Sequence, residues 1–315
     1  MSIPEPTAAL EPTDPVEALL DRDHAHTAEL LDRADADAAA AEAESGLRIR
    51  LIDDIDEHAA VRALIEEVWR TGERNPPVTA DMLSAIRTAG GYVSGAFDAQ
   101  GLAAACFGFF GAPAERRLHS HITGALPRTR GTGVGRALKL HQRAWALRQG
   151  ADTITWTFDP LIRRNAHFNL GKLGADIGEY LPDLYGTMDD AINRDDITDR
   201  MLARWRLTSP EVAAAAAGSP VVRTIADVPD AEVLLTASAD GRPLVRDTDA
   251  ATVLVAVPAD IESMREGAAA TSAAWRLAIR HTLGALLADG ATVRGFDRAG
   301  WYIVDRSAVD RTEEP

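Results

Sequence analysis

Several features that would point to other protein classes are scarce in this 315-residue sequence. A single cysteine, Cys106, excludes an internal disulfide. It lies in the apolar run 102–110 and is predicted to be a small buried core residue. No apolar run approaches the roughly 18 residues that a membrane-spanning helix needs. The first ten residues contain no basic segment ahead of an apolar core, so no secretory signal is predicted and a cytoplasmic location is expected.

Positive charge is also scarce, with 33 Lys and Arg residues against 48 Asp and Glu residues. The resulting formal charge of −15 argues against a protein that binds nucleic acid or an anionic membrane over its whole surface. An apolar content of 46% and a charged content of 26% are ordinary for a soluble globular protein. The length is sufficient for two domains.

One segment reverses this charge balance, because residues 116–151 contain no Asp or Glu. Within it, Arg136, Lys139 and Arg143 have the i, i+3, i+7 spacing of one helix face, which is predicted to be exposed. A local basic patch in an acidic protein suits a polyanionic small ligand. A solvated helix face without a ligand is the alternative. The basic residues of the segment are Arg116, Arg117, Arg128, Arg130, Arg136, Lys139, Arg143 and Arg148.

Composition and periodicity divide the chain into three zones: a helical extension (1–46), a larger α/β unit (47–211) and a smaller α/β unit (212–315). The motif Asp14-Pro15-Val16-Glu17 is typical of a helix start. The helix is predicted to continue to Ser45, to be mostly solvated, and to dock on the rest of the chain or on a partner subunit, so that a homodimer is considered. The run 213–217, followed by Gly-Ser-Pro, marks the predicted boundary between the α/β units.

Hydrophobic periodicity predicts the main elements of both units. Predicted strands of the larger unit are 47–52, 92–97, 102–110, 118–126, 153–157 and 201–207. Those of the smaller unit are 233–236, 252–257, 292–296 and 301–304. Helices are predicted around 61–69, 82–86, 134–145, 165–173 and 271–288.

A glycine-rich turn, Arg130-Gly-Thr-Gly-Val-Gly-Arg136, follows the strand 118–126 and precedes a helix. A helix amino end offers free N–H groups and a positive dipole to an anion. A Walker A loop is disfavoured because no Lys-Ser or Lys-Thr follows, and a dinucleotide fingerprint because Arg136 occupies its third glycine. The pattern Arg/Gln-x-x-Gly-x-Gly/Ala, the pyrophosphate-binding turn of acetyl-coenzyme A enzymes, is matched fully. The alternative is a turn that only connects strand and helix.

With these motifs the sequence resembles the GNAT superfamily of N-acyltransferases, and within it a group of bacterial and archaeal predicted acetyltransferases. The resemblance covers about residues 47–211 and extends more weakly through 258–261 and 275–277. It implies a mixed, mostly antiparallel sheet flanked by helices and split after the strand 118–126, plus a second, smaller α/β unit on the acceptor side. The motifs that carry it are His119-Ser-His121, Gly133-Val-Gly-Arg-Ala-Leu-Lys139, Gln142-Arg143, Trp156-Thr-Phe-Asp-Pro160, Asn165-Ala-His-Phe-Asn169, Lys172-Leu-Gly-Ala175, Tyr185-Gly186 and Asp199-Arg200.

The function that this resemblance implies is coenzyme-A-dependent N-acylation by direct transfer. An acetyl or succinyl group would move from acyl-CoA to the amine of a small molecule, with an amino acid as one candidate acceptor. Amides of the glycine turn would hold the pyrophosphate, and the end of the strand 118–126 would hold the pantetheine arm and polarise the thioester. The cofactor-binding residues so implied are Leu126, Arg128, Arg130, Gly131, Thr132, Gly133, Val134, Gly135, Arg136, Asn165 and Phe168.

Candidates for proton transfer come from the residues around this site. His119 and His121 could deprotonate the acceptor amine, since histidine titrates near neutrality. Asp159 could act as base or substrate anchor, and Tyr180 could protonate the leaving thiolate, as could Tyr185. For each of them a structural role is the alternative: a hydrogen-bonded histidine, a turn-forming aspartate or a packed tyrosine.

Two further observations limit the interpretation. GNAT enzymes often carry a Tyr four residues before the glycine that matches Gly174, and Leu170 stands there instead. A catalytically degenerate acyl-CoA-binding module with a regulatory or scaffolding role is therefore the competing hypothesis. The pair His119-x-His121 has no third ligand at a recognisable spacing, so no metal site is predicted.

Overall fold

The computed structural model describes residues 15–71, 76–186, 188, 190, 193–194 and 196–306, with only the backbone for 15–26. The predicted helix cap Asp14 lies outside the described residues. Within this part of the chain, no helix is long and apolar enough to cross a membrane.

The larger of two sheets has seven strands in the spatial order β1-β2-β3-β4-β5-β7-β6. All neighbouring strands are antiparallel except β4 and β5, which are parallel. The strands are β1 Arg48–Leu51, β2 Tyr92–Asp98, β3 Gly101–Phe110, β4 Arg117–Ala125, β5 Thr153–Phe158, β6 Asp176–Leu181 and β7 Arg200–Arg206.

Helices cover both faces of this sheet because its strands carry apolar residues on both sides. On one face, α2 and α3 pack through Val61, Ile65 and Leu83 against Val93 and Phe107 of the sheet. On the other face, α4 packs against β2 and β3, and α1 lies along α4. The helices are α1 Pro15–Ser45, α2 Ile55–Trp69, α3 Ala80–Thr88, α4 Val134–Arg148, α5 Arg163–Ala166 with a π-helical turn His167–Lys172, and α6 Pro210–Ala216.

A second sheet of five strands has the order β11-β12-β10-β8-β9. Its long helical segment, predicted at 271–288, buries Trp275, Ile279, Leu283 and Leu286. The strands are β8 Glu232–Ala237, β9 Pro243–Val245, β10 Thr252–Ala256, β11 Thr292–Asp297 and β12 Trp301–Asp305. The helices are α7 Ile261–Gly267, α8 Ala269–Ile279 with a π-helical turn Arg280–Gly284, and α9 Ala285–Ala288.

The two sheets meet at the carboxyl end of β5. The Tyr302 hydroxyl donates to the carbonyl of Pro160 at 2.7 Å, and Arg163 donates to the carbonyls of Val257 and Pro258 at 2.6 and 2.8 Å. Gly300 makes room for this arginine, since a Cβ on it would lie 2.2 Å from the Arg163 guanidinium carbon. The second unit is therefore fixed against the strand end that carries Asp159.

The predicted fold class is confirmed: a mixed, mostly antiparallel sheet flanked by helices, with a second, smaller sheet. The structure adds β6, β9 and α7, which the sequence did not indicate. The run 213–217 falls largely within α6, whose Ala215 and Ala216 are buried, and the division into domains stays a prediction.

Where its side chains are described, the first helix is exposed along much of its length, as predicted, and docks along one side. Ala34 and Ala41 of α1 are buried, and Asp37 pairs with Arg143 of α4 at 3.2 Å. Of the two docking partners that were considered, the helix therefore contacts its own chain. A homodimer stays a prediction.

Candidate active site

A cavity opens where β4 and β5 diverge. Parallel pairing joins only Arg117–His119 to Thr153–Thr155. Beyond these three residues the strands separate, so the edge of β4 that faces β5 has no pairing strand there. The resulting cavity has a volume of about 390 Å³. Its walls include Ser120, His121, Gly135, Lys139, Trp156, Asp159, Asn165, Phe168 and Arg200.

The glycine turn stands at one end of this cavity and presents free amides. Gly131 and Gly133 both have φ +82°, a left-handed conformation that side chains rarely adopt, and the space over both is open. Within the described part of the chain, no acceptor is found for the N–H groups of Gly131, Gly133, Gly135 and Arg136. Because these amides surround the amino end of α4, they form a cradle for an anion such as a diphosphate.

The predicted cofactor residues fall into different settings. Gly135, Asn165 and Phe168 line the cavity, as the resemblance implies. Leu126 is buried, and its amide donates to Ala103 while its carbonyl accepts from Thr129, so its backbone polar groups are occupied. Thr132 accepts the amide of Val134 on its hydroxyl oxygen at 3.3 Å and thereby shapes the turn.

Two arginines of this segment have contrasting settings. Arg128 is held by Asp98 at 2.7 Å and by the carbonyl of Leu102 at 2.9 Å, on the β2–β3 hairpin. Arg130 is exposed; its amide donates to the carbonyl of Pro127, but its guanidinium has no hydrogen-bond or ion-pair partner among the described residues. Of the two, Arg130 is the one whose charge is available to an anion at the turn.

The prediction of an exposed basic face on α4 is wrong. Only 4% of Lys139 and 2% of Arg143 is exposed, and Arg136 is half-buried. Arg143 pairs with Asp37, and Arg136 donates to the carbonyl of Ala216 at 2.6 Å. The reason is that α1 and α6 cover the side of α4 that would otherwise face solvent, so α4 is buried nearly all round.

Lys139 instead reaches the floor of the cavity. Its ammonium donates to the hydroxyl of Ser120 at 2.8 Å and to the amide oxygen of Gln142 at 3.3 Å, and it lies 4.0 Å from the ring centre of Trp156. Burial lowers the pKa of Lys139 from 10.5 to about 8. Sequence analysis missed this role, because the helical period does not show that a second helix covers the outer face.

The structure brings His119 and His121 together, with ring centres 5.8 Å apart. His121 occupies a bulge, opposite the step from Phe107 to Gly108, and lines the cavity. His119 lies 3.3 Å from the Thr155 hydroxyl, and burial, followed by the charges of His121, Lys139 and Arg117, lowers its pKa to about 4. Burial also lowers the pKa of His121, so both rings are neutral near pH 7, and a pKa of about 4 makes His119 a poor proton acceptor there.

Asp159 sits at the cavity wall but is engaged by arginines of the second unit. Its carboxylate accepts from Arg276 at 2.9 and 2.7 Å and from Arg265. Burial alone would raise its pKa, but the two guanidinium groups outweigh burial and hold the pKa of Asp159 far below its usual range. This carboxylate is therefore a poor proton acceptor at neutral pH.

Tyr180 lies away from the cavity lining and donates to Asp199 at 2.6 Å. Burial, together with this hydrogen bond, raises the pKa of Tyr180 far above its usual range. Tyr185 is nearer, since its hydroxyl lies 2.9 Å from that of the wall residue Thr157. Leu170, at the position where a Tyr is common, is buried.

A buried guanidinium of the wall, Arg200, was named in the sequence motifs but given no role there. It is 8% exposed, donates to Asn193 at 2.8 Å and to the carbonyl of Asp199 at 2.9 Å, and lies beside the ring of Tyr185.

No group of three His, Cys, Asp or Glu side chains that could hold a metal ion is found among the residues that the structure describes.

No protein-family model and no curated protein matches the sequence. Solved structures that match are acetyltransferases, and three of them each align with about half of this chain. A phosphinothricin acetyltransferase of Sinorhizobium meliloti, crystallised with AcCoA, matches with 17% identity and a TM-score of 0.42 over 50% of this chain and 87% of its own.

Two further structures match over a similar extent. An N-acetyltransferase of Staphylococcus aureus Mu50 has 14% identity and a TM-score of 0.43, over 51% of this chain and 99% of its own. The ribosomal-protein-S18-alanine N-acetyltransferase of Escherichia coli has 13% identity and a TM-score of 0.41, over 52% of this chain and 95% of its own. These TM-scores are below 0.5, and the function is therefore inferred from the residues of the chain itself.

Proposed function

We propose that the protein is a coenzyme-A-dependent N-acyltransferase that moves an acetyl or succinyl group from acyl-CoA to the amine of a small molecule by direct transfer. An amino acid is one candidate acceptor. The observation that carries the proposal is the placement of the amide cradle at the start of α4 beside the cavity between β4 and β5. One ligand can thus place a diphosphate at Gly131–Arg136 and a thioester between the strands.

The chain's own groups suit each part of such a ligand. Free amides and Arg130 match the charge of a diphosphate. The unpaired edge of β4 offers backbone groups to the amides of a pantetheine arm, as an added strand would. Phe168 and Asn165 close the opposite side.

Proton transfer from the acceptor amine is assigned to His121, directly or through water. His121 lines the cavity, is neutral near pH 7, and occupies the bulge of β4. His119 packs behind it and supports the ring. In this proposal Asp159 holds the second unit in place by accepting from Arg276, and Tyr180 supports Asp199, which accepts from Arg280 of that unit.

Calorimetric titration with coenzyme A, acetyl-CoA and succinyl-CoA tests the cofactor site and names the donor. Replacing Gly133 by Val should abolish binding, because a branched side chain at φ +82° distorts the cradle and blocks its amides. Gly150→Val is the matched control: Gly150 lies just past the other end of α4 with φ +80° and similarly open space. Equal binding in both variants would refute the cradle.

Turnover separates the enzyme from a regulatory acyl-CoA-binding module. An enzyme releases free coenzyme A when an amine from a panel of amino acids and other small amines is added, and His121→Ala should slow that release. A module that binds acyl-CoA would show the same calorimetric titration without any amine-dependent release of thiol.

A further inference from the structure

Ser120 and Lys139 form a hydrogen-bonded pair in the wall of the cavity. The Lys139 nitrogen lies 2.8 Å from the Ser120 hydroxyl oxygen. Both side chains are almost completely buried, at 2% and 4% exposure, yet both line the cavity. The pair is therefore shielded from bulk solvent but open to whatever the cavity holds.

Within the residues that the structure describes, no carboxylate pairs with Lys139. Its two hydrogen-bond acceptors, Ser120 and Gln142, are neutral, and the ring of Trp156 supplies the remaining contact. A buried ammonium without a carboxylate is costly and shifts toward its neutral form. At a pKa of about 8, a sizeable fraction of the amine is neutral just above neutral pH and can accept a proton.

A serine within hydrogen-bond reach of a neutral amine is the arrangement of a nucleophile and its general base. Gln142 orients the base, as the third member of such a group does, because its amide oxygen lies 3.3 Å from the Lys139 nitrogen. Beyond His119, no described strand pairs with the backbone of β4 on the β5 side. Its edge amides are available to an oxyanion that forms at a carbonyl beside Ser120.

We propose that Ser120 and Lys139 give the protein a second activity, the hydrolysis of acyl thioesters and activated esters through an acyl-Ser120 intermediate. This activity needs no amine acceptor. The inference rests on the proposed function in one respect only, namely that an acyl group enters this cavity.

The reaction balances with water as the co-reactant. Neutral Lys139 takes the hydroxyl proton while the Ser120 oxygen attacks the thioester carbonyl. The carbon–sulfur bond then breaks, and the thiolate takes the proton from Lys139 and leaves as the thiol. Water, deprotonated by the again neutral Lys139, attacks the serine ester. The carboxylic acid is released, and the proton returns to the Ser120 oxygen.

The test uses p-nitrophenyl acetate and the whole 315-residue chain, because this ester does not depend on the phosphate cradle. We expect a burst of nitrophenolate, and mass spectrometry after acid quenching should locate one acetyl group on Ser120. Ser120→Ala should remove the adduct, and Lys139→Met should slow its formation about a hundredfold or more. Ser120→Cys should carry the acetyl group on sulfur, which keeps the test decisive if Lys139→Met does not fold.

Ser94→Ala is the matched control, since Ser94 is fully buried on β2 and its hydroxyl donates to the carbonyl of Cys106. This variant should keep the burst and the adduct. Unlabelled Ser120 in the wild-type protein, or an equal burst in Ser120→Ala, would overturn the inference. Gly133→Val should lose coenzyme A binding but keep the ester burst. Failure of the cradle and failure of the serine–lysine pair therefore give different results.

The burst rate should rise with pH around a midpoint near 8, the pKa of Lys139. Other titratable or charged groups near the pair include Cys106 on β3, Arg117, His119 and His121 on β4, and Asp159 and Arg200 in the cavity wall. Both histidines have pKa values below 6.5 and are already neutral in this range. Cys106→Ala should keep the midpoint, and loss of the midpoint in that variant would assign it to the thiol and contradict the role of Lys139.

Discussion

Two buried cations near the cavity, Lys139 and Arg276, show how differently one fold can treat positive charge. At 4% and 0% exposure they are almost equally inaccessible. Arg276 donates to Asp159 at 2.9 and 2.7 Å and to Asp196 at 3.0 Å, whereas Lys139 donates only to neutral groups. Burial lowers the pKa of both, but the carboxylates reverse this for Arg276, whose pKa is raised far above its usual range.

The comparison separates a cation that holds the structure from one that can exchange a proton. Arg276 stays charged under all ordinary conditions and joins the second unit to the end of β5. Lys139 has no carboxylate beside it among the described residues, so burial brings its pKa to about 8, close to neutral pH. The difference lies in compensation of charge and not in depth of burial.

The largest change in the free energy of unfolding is expected when Asp159 is removed from its ion pairs with Arg265 and Arg276. Asp159→Asn leaves Arg265 and Arg276 without their main carboxylate and should lower the free energy of unfolding by about 3–5 kcal/mol. Because the pKa of Asp159 in the folded protein lies well below 3.8, its contribution is present above pH 4 and is lost only as the pH falls to that lower value. Urea unfolding at pH 7 measures the change.

Asp196→Asn is the matched control for this variant. Asp196 shares both arginines at 3.0 Å but accepts one hydrogen bond from each, and Asp159 would still compensate them. It should cost less than Asp159→Asn. An equal or larger loss in the control would place the main counter-charge at Asp196.

A smaller effect is expected at Lys139, whose buried charge should lower the free energy of unfolding instead of raising it. Lys139 has a pKa of about 8 in the folded state against 10.5 when unfolded, so the unfolded chain binds more protons between these values. Stability should therefore rise with pH from about 8 to 10.5, by about 3 kcal/mol relative to Lys139→Met. Chemical unfolding of both proteins across this range measures the difference. Parallel curves would show that the Lys139 ammonium is not destabilised by burial.

The smallest effect is expected for a cation that is paired but not buried. Arg206 of β7 pairs with Asp176 of β6 at 2.6 Å, with side-chain exposures of 61% and 40%. Because solvent and salt screen such a pair, Arg206→Ala should change the free energy of unfolding by about 0.5 kcal/mol or less. If Arg206→Ala lowered the free energy of unfolding as much as Asp159→Asn, then burial would not be what makes an ion pair strongly stabilising.

Local sequence signals predicted most of the elements. The strands predicted at 92–97 and 102–110 are β2 and β3, and the glycines after 118–126 predicted the turn before α4. These signals depend only on residues that are close in the sequence, so they predict local elements without any knowledge of the tertiary structure. The divergence of β4 from β5 was expected from the resemblance and is present in the structure.

Charge compensation could not be predicted in this way, because it depends on distant parts of the chain. Arg143 was expected at the surface, but α1 brings Asp37 to it from 106 residues away. Asp159 was considered as a base, but its partner Arg276 lies 117 residues further along. Spacing along the sequence shows which side chains share a helix face. It does not show what covers that face.

The joint between Asp159 and Arg276 also has a consequence for the order of events during synthesis. When the ribosome has finished β5, the carboxylate of Asp159 waits for its two arginine partners, since Arg265 follows 106 residues later and Arg276 117 residues later. The wall of the cavity can therefore reach its final form only after α8 has emerged. A chain released early would carry the amide cradle but an unfinished wall.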